Sequence, residues 1–299
     1  MTGFSERRGL TLKSVISGCV YDEERALYNL QDAEVRDCIF AGPADGESAL
    51  KEARNIEVRN CRFSLRYPLW HVHTFTVERC SMDEMTRAAL WYASDGRITD
   101  SVLDGIKCLR ECDRITLSGV TAHSPEFGWR CRGLRISDSA VNSQYFLFES
   151  RDIAIDRLHM TGKYSFQYVE NAVIRDSVLD TKDAFWHSRH VTVYDSEVKG
   201  EYLGWYSENL TLVRCRISGT QPLCYCKDLK LIDCTMEGTD LAFEYSDVQA
   251  ELHGTVDSVK NPRSGRITAD AVGEIIRDHS VMEDTCEICI RSPQPDSAT

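Results

Sequence analysis

A repeat of 19 residues runs from Gln31 to Ser246 and constrains the fold more than any other feature of the sequence. Seven consecutive copies, from Ser94 to Cys226, keep this length, whereas the first copy is four residues longer and the third is two residues longer. A copy this short cannot bury its own apolar residues, so neighbouring copies must stack. Eleven copies begin at Gln31, Arg54, His73, Ser94, Asp113, Arg132, Arg151, Glu170, Arg189, Glu208 and Lys227.

The apolar residues within each copy follow the spacing of strands. Positions 3, 5, 8 and 10 are apolar or small, as in Ile56, Val58, Cys61 and Phe63. A spacing of two indicates an extended strand, and the jump of three indicates a two-residue corner. The pattern predicts an all-β, single-stranded, right-handed parallel β-helix of about eleven coils of 19 residues, its handedness following the rule for parallel crossovers.

Composition supports one folded unit, because 42% of the residues are hydrophobic and 27% are charged. We expect the β-helix to occupy residues 1–270, with the repeats at 31–246, an N-terminal cap at 1–30 and a C-terminal coil at 247–270. A capping segment and tail follow at 271–299.

Charge and hydropathy narrow the classes of partner. The net charge of −12 argues against nucleic acid, because phosphate backbones are bound by basic surfaces. No stretch approaches the roughly 18 apolar residues of a membrane span. The first fifteen residues lack the apolar core of a secretory signal, so we expect a cytoplasmic protein.

The thirteen cysteines are an odd number and cannot all pair within the chain. Most of them occupy inward positions, where a free thiol is a good small core residue. We therefore expect buried, reduced thiols, as in a reducing compartment. The pair Cys286 and Cys289 is a weak metal signal by itself, and the sequence predicts no metal and no cofactor.

Two neighbouring columns of residues near the end of each coil form a third corner. The first, here called the tryptophan column, contains all five tryptophans together with charged residues, so we expect it to face water. It comprises Tyr28, Lys51, Trp70, Trp91, Arg110, Trp129, Phe148, Gln167, Trp186, Trp205, Cys224 and Glu244. The second, here called the outer column, comprises Asn29, Glu52, His71, Tyr92, Glu111, Arg130, Glu149, Tyr168, His187, Tyr206, Tyr225 and Tyr245.

Amphipathic aromatic side chains beside polar groups are typical of surfaces that bind sugar rings. The candidate substrate-binding residues are Trp70, His71, Trp91, Arg110, Glu111, Trp129, Arg130, Glu149, Trp186, Trp205 and Tyr206. Alternatively, the tryptophans are covered by the C-terminal segment, by a partner or by one another, or they lie inside the solenoid.

One cluster at this corner has the groups that acid–base catalysis needs. The candidate catalytic residues are Lys182, Asp183, His187, Glu201 and Tyr202. A lysine suits proton abstraction by a lyase, whereas an aspartate or a histidine suits hydrolysis. The alternative is that these side chains are solvated surface groups.

Two further sets of charged residues have structural explanations. Glu111 and Glu149 lie two coils apart, about 9.6 Å, which is compatible with an inverting glycosidase, but Arg130 between them favours a charge ladder. Asp176 and Asp195 stack beside Arg214 and are likewise explained by a ladder rather than by calcium.

Eight segments, spread over nearly the whole chain, carry a family resemblance. They are ERALYN (24–29), ESALKEARNIEVRNCRF (47–63), RYPLWH (66–71), RAALWY (87–92), KDAFWHSRHVTVYDS (182–196), GEYLGWYSENLTL (200–212), LAFEYS (241–246) and SVKNPRSGRITAD (258–270). On these motifs the chain resembles the domain-of-unknown-function family 3737, whose members are similar to pectate-lyase-like right-handed β-helices. The resemblance implies that fold and supplies no reaction or catalytic set.

Two hypotheses of function follow. In the first, the protein binds an oligosaccharide at the third corner, or acts on it as a lyase or a glycoside hydrolase. In the second, it is a non-catalytic scaffold that uses the same surface to bind a partner or a second copy of itself, as a homo-oligomer.

Overall fold

The computed structural model describes residues 13–291 and consists almost entirely of parallel strands. The first face of the solenoid is a ladder of fifteen strands, each paired in parallel with the next. The strands are Ser14–Ser17, Gln31–Arg36, Arg54–Arg59, His73–Glu78, Ser94–Thr99, Asp113–Ser118, Arg135–Ser143, Arg151–Lys163, Glu170–Arg175, Arg189–Tyr194, Glu208–Val213, Leu229–Met236, Asp247–His253, Ser264–Ala269 and Glu287–Ile290.

The fold class is confirmed as a parallel β-solenoid, but the number of coils is wrong. The structure has about fifteen turns rather than eleven, because the ladder extends beyond the regular repeat at both ends. Ser14–Ser17 pairs with the strand that follows it, and Glu287–Ile290 pairs with Ser264–Ala269.

Shorter strands form the second and third faces, and three long strands, Arg135–Ser143, Arg151–Lys163 and Leu229–Met236, cross from the first face to the second. The second face includes Val20–Tyr21, Ile39–Phe40, Arg62–Phe63, Ser81–Met82, Val102–Leu103, Thr121–His123, Val178–Lys182, Glu197–Lys199 and Arg216–Ser218, with Thr255–Lys260 and Ala271–Ile276 paired as a separate sheet. The third face has Leu69–Trp70, Leu90–Trp91, Leu109–Arg110, Glu126–Phe127 and Tyr145–Phe146. One 3-10 helix, Glu84–Thr86, follows the second face in the third coil.

The predicted inward columns form the core. Ile56, Val58 and Phe63 are buried, and their counterparts in other coils stack on them in register. The rings of Phe40 and Phe63 lie 4.6 Å apart, and those of Phe166 and Phe185 lie 4.9 Å apart. Each coil therefore buries its apolar residues against the coils on either side of it.

The corners use backbone in the left-handed region. Asp176 and Asp195 turn the chain at the first corner with φ values of 48° and 50°. Aspartate and asparagine tolerate this region better than most residues, which accounts for their frequency there. The third corner uses the same conformation, with φ values of 54° at His187 and 59° at Tyr206.

Serine and cysteine side chains satisfy the amides that these corners leave unpaired. The N–H of Leu158 donates to Ser177 Oγ at 3.0 Å, and this hydroxyl donates to the carbonyl of Arg175 at 2.6 Å. Thiols do the same elsewhere, since the N–H of Cys61 lies 3.3 Å from Cys80 Sγ. A buried amide left without a partner is costly, so the column selects a small side chain that can accept a hydrogen bond.

The structure confirms the prediction of free, mostly buried thiols. All thirteen cysteines are free, and only Cys19 and Cys289 are partly exposed. Burial raises the pKa of the Cys226 thiol to about 11, so this group is protonated at neutral pH. These thiols act as packing and hydrogen-bonding groups.

We expect Ser177→Ala to lower the free energy of unfolding by about 1–3 kcal/mol, because it leaves the buried N–H of Leu158 without an acceptor. Ser177→Cys should cost less, since the chain already uses cysteine in this column. Denaturant unfolding measures both, with Ser81→Ala on the exposed side of the second face as the control. Equal stability of the alanine variant and the wild type would contradict the ladder.

Candidate functional site at the third corner

The tryptophan column is half-buried, and its rings cover one another. The rings of Trp70 and Trp91 stack with centroids 5.6 Å apart, and those of Trp186 and Trp205 stack at 5.5 Å. Rings that stack along the solenoid axis present their edges to solvent while their faces are occupied by neighbours. The column therefore offers edges, rather than open faces, to a sugar.

The expectation that this column faces water holds only in part. Gln167 and Cys224 are buried, and all five tryptophans are only partly exposed. The guanidinium of Arg110 lies between the rings of Trp91 and Trp129, at 5.6 and 5.1 Å from their centroids. Cation–π contacts thus let charged residues occupy a half-buried column, which the argument from charge overlooked.

The upper and lower parts of the tryptophan column differ in their hydrogen bonds. Trp186 Nε1 donates to the carbonyl of Tyr202 at 2.6 Å, and Trp205 Nε1 donates to the carbonyl of Gln221 at 2.7 Å. The buried indole N–H groups of Trp70, Trp91 and Trp129 find no partner among residues 13–291. The upper part is therefore held more rigidly to the next coil.

The outer column contains a continuous stack of exposed rings. Tyr168, His187, Tyr206 and Tyr225 follow one another at 5.0, 5.0 and 4.8 Å between centroids, and Tyr245 continues the stack at 5.6 Å. The Tyr245 hydroxyl accepts a hydrogen bond from the Val281 N–H at 3.3 Å. A C-terminal segment thus contacts one end of this tyrosine–histidine stack.

The structure brings four of the five candidate catalytic residues together. Lys182 Nζ lies 2.5 Å from Glu201 Oε2 and 5.2 Å from the centroid of the Tyr202 ring. The pKa of Lys182 is raised by its hydrogen bond to Glu201, so this ammonium is a poor base. His187 is separated from this cluster, because its ring is packed between Tyr168 and Tyr206.

Asp183 is the unusual member of the cluster. It occupies a corner position between Tyr164 in the preceding coil and Tyr202 in the following one, and only 6% of its surface is exposed. Burial raises the pKa of its carboxyl, and Glu201 raises it further, against the opposing effects of Lys182 and Lys163. Its carboxylate makes no hydrogen bond within the described part of the chain.

The two carboxylates that suggested an inverting glycosidase are tied to arginines. Arg130 Nε donates to Glu149 Oε2 at 2.7 Å, and Glu111 lies 3.8 Å from Arg110 Nε. Glu111 and Glu149 are therefore part of an ion-pair ladder.

A similar ladder lies at the first corner, where Arg214 holds Asp195 through two bonds of 2.6 and 2.7 Å. Between residues 13 and 291, no group of three or more histidine, cysteine, aspartate and glutamate side chains is arranged to hold a metal ion. None of the helices in that same range has the length and apolar character needed to cross a membrane.

Farther down the corner lies a pocket that the sequence reasoning did not identify. His71 there contacts Glu52 at 3.2 Å, and Tyr67 packs edge-on against Trp70. The two extra residues of the third coil were the available signal, because they build the 3-10 helix and the pocket wall. The lining residues are Tyr67, Arg87, Ala88, Trp91, Ile106, Lys107 and Arg110.

The fold and these columns define a parallel β-solenoid protein with an aromatic corner. The chain belongs to the family described as "Protein of unknown function (DUF3737)", which matches residues 14–290. No curated protein matches the chain.

Solved structures show distant likenesses. The surface adhesin PfbA of Streptococcus pneumoniae is 6% identical with a TM-score of 0.42, and the match covers 87% of this chain and 83% of that chain. The A-module of the mannuronan C-5 epimerase AlgE4 of Azotobacter vinelandii is 9% identical with a TM-score of 0.32, over 94% and 90% of the two chains. At these values the likenesses carry no argument about a substrate or a partner.

The buried carboxyl of Asp183 generates a pH-dependent prediction. Below the ordinary pKa of 3.8, the carboxyl is protonated in the folded and unfolded states and contributes no difference. As the pH rises through the raised pKa, the native state must bury a charge and loses stability. We therefore expect Asp183→Asn to be more stable than the wild type at pH 7, with a gain that vanishes at low pH.

Urea unfolding between pH 3.5 and 8 measures this difference. Asp195→Asn is the matched control of opposite sign, because Arg214 lowers the pKa of Asp195 and the charged form stabilises the fold. A loss of stability in Asp183→Asn at pH 7 would show that the carboxylate is well accommodated.

Proposed function

We propose that the protein binds an oligosaccharide at the upper third corner and hydrolyses it, with Asp183 as the general acid. The observation that carries the proposal is the buried, unpaired Asp183 carboxyl, whose pKa is raised. A perturbed carboxyl beside charged and aromatic groups is a reasonable marker of a functional site. Glycosidases use such an acid to protonate the leaving-group oxygen.

The surroundings support hydrolysis over proton abstraction by lysine. Lys182 is ion-paired with Glu201 and has a raised pKa, which makes it unsuitable as the base of a lyase. In the proposed reaction Asp183 gives its proton to the glycosidic oxygen, and the bond to the anomeric carbon breaks. Water supplies the hydroxyl for that carbon, and Glu201 accepts the proton of the water.

The aromatic side chains have a binding role in this proposal. The edges of Tyr206 and His187 carry hydrogen-bonding groups toward solvent, beside Trp186 and Trp205. A saccharide lying along the axis would meet a new row of polar edges at each coil, about every 4.8 Å. Because the ring faces inside the stacks are covered, binding relies on hydrogen bonds to these edges more than on stacking.

Incubation with a panel of neutral and acidic oligosaccharides tests the proposal, with calorimetry for binding and reducing-end analysis for turnover. We expect saturable binding of one sugar class, and a loss of about 10²–10⁴-fold in turnover for Asp183→Asn with binding retained. Asp195→Asn, a surface aspartate in the next coil, should leave both unchanged. Absence of binding across the panel, or full turnover in Asp183→Asn, would overturn the proposal.

A second candidate function is a scaffold, and the exposed tyrosine–histidine stack favours it. Tyr168 and Tyr206 are 49% and 45% exposed, and exposed aromatic surfaces often mark an interface. If this stack binds a second copy of the chain, Tyr206→Ser should weaken concentration-dependent association in sedimentation experiments. Arg157→Ser at the first corner should leave it unchanged. A monomer at all concentrations would exclude self-association.

A further inference from the structure

We propose that the pocket beside Trp91 binds a monosaccharide phosphate, with Arg87, Lys107 and Arg110 around the phosphate group. This site is separate from the proposed hydrolytic site. Trp91 lies in the third coil and Asp183 in the eighth, a separation of about 24 Å along the axis. The two proposals therefore rest on different residues.

An insertion in the third coil builds one wall of the pocket. Asp83 caps the 3-10 helix Glu84–Thr86 by accepting a hydrogen bond from the Met85 N–H. The chain leaves this helix at Arg87, whose φ of 52° and ψ of −102° are unusual for a residue other than glycine.

The next coil fits against this wall because it carries Gly105. A Cβ at that position would lie 2.7 Å from the carbonyl oxygen of Arg87. The same carbonyl accepts a hydrogen bond from the Lys107 N–H at 2.9 Å. The unusual backbone of Arg87 is therefore fixed from both sides.

The charges in the pocket favour an anion. No acidic residue lines the pocket, although the net charge of the chain is −12. Glu126 approaches Arg110 and Lys107 from outside, at 3.3 and 3.7 Å, and Glu111 lies 3.8 Å from Arg110. Arg87 makes no ion pair within the described residues, so its charge remains available. Three converging cations suit the several oxygens of a phosphate better than the two oxygens of a carboxylate.

Arg110 is held in place before any ligand arrives. Its guanidinium is fixed between the rings of Trp91 and Trp129. A rigid, planar guanidinium loses little conformational entropy when it binds an anion, which favours affinity.

The rest of the lining suits a small sugar. Tyr67 and Trp91 meet edge-on with centroids 6.4 Å apart, and Ala88 and Ile106 complete an apolar wall. The cavity volume of about 290 Å³ lies at the lower end of the range for small-molecule sites. Space for one ring beside a cationic end indicates a monosaccharide carrying a single phosphate.

Calorimetry on the full chain tests this inference with glucose 6-phosphate as the probe, beside glucose, inorganic phosphate and glucuronate. We expect glucose 6-phosphate to bind at least tenfold more tightly than each of the other three. Arg87→Gln and Arg110→Gln should each weaken its binding by about tenfold or more, the usual loss for a charge-assisted hydrogen bond. Arg114→Gln, at the first corner of the next coil, is the matched control and should bind like the wild type.

Several results would overturn the inference. Equal binding of inorganic phosphate would show an anion site without a sugar, and tighter binding of glucuronate would show a carboxylate site. An unchanged affinity in Arg87→Gln, or no binding of glucose 6-phosphate at all, would remove the site. Thermal unfolding checks each variant, and if Arg110→Gln does not fold, Arg87→Gln and Arg87→Glu decide. Asp183→Asn should not alter this binding, which separates its failure from that of the hydrolytic site.

Discussion

The parallel hydrogen bonding between consecutive coils is the constraint on which the rest of the structure depends. Each coil pairs with its neighbours in a 19-residue register over most of the chain, as Ser94 does with Asp113. A side chain therefore meets the residue 19 positions before or after it, and every column must be compatible with its own repetition. Carboxylates alternate with arginines where columns are charged, and rings stack where they are aromatic.

The inward columns could be predicted from the sequence because burial at a corner or a strand admits few residue types. The number of coils could not, because the C-terminal coils abandon the regular length. Asp247 pairs with Ser264, 17 residues on, and Arg266 pairs with Glu287, 21 residues on. Strand pairing survives a change of loop length, whereas a search for a fixed period does not.

The candidate site was predicted at the level of columns and missed at the level of orientation. Spacing identifies which side chains share a corner, and the structure does bring Lys182, Glu201 and Tyr202 together. It cannot show that His187 is packed between two tyrosines, or that Arg110 is buried between two indoles. Those arrangements depend on the distance between coils and on the rotamers that stacking favours.

Both proposed sites lie where a column is interrupted, and there is a physical reason for this. In an unbroken column each ring is covered by the next ring and each carboxylate is paired with the next arginine, so little remains for a ligand. Asp183 interrupts a corner position that is tyrosine in the coils on both sides, and it is left buried without a partner. Arg87 arises from an insertion and has no counterpart with which to pair. In a solenoid, groups free to bind a ligand are therefore expected at departures from the repeat rather than in its regular part.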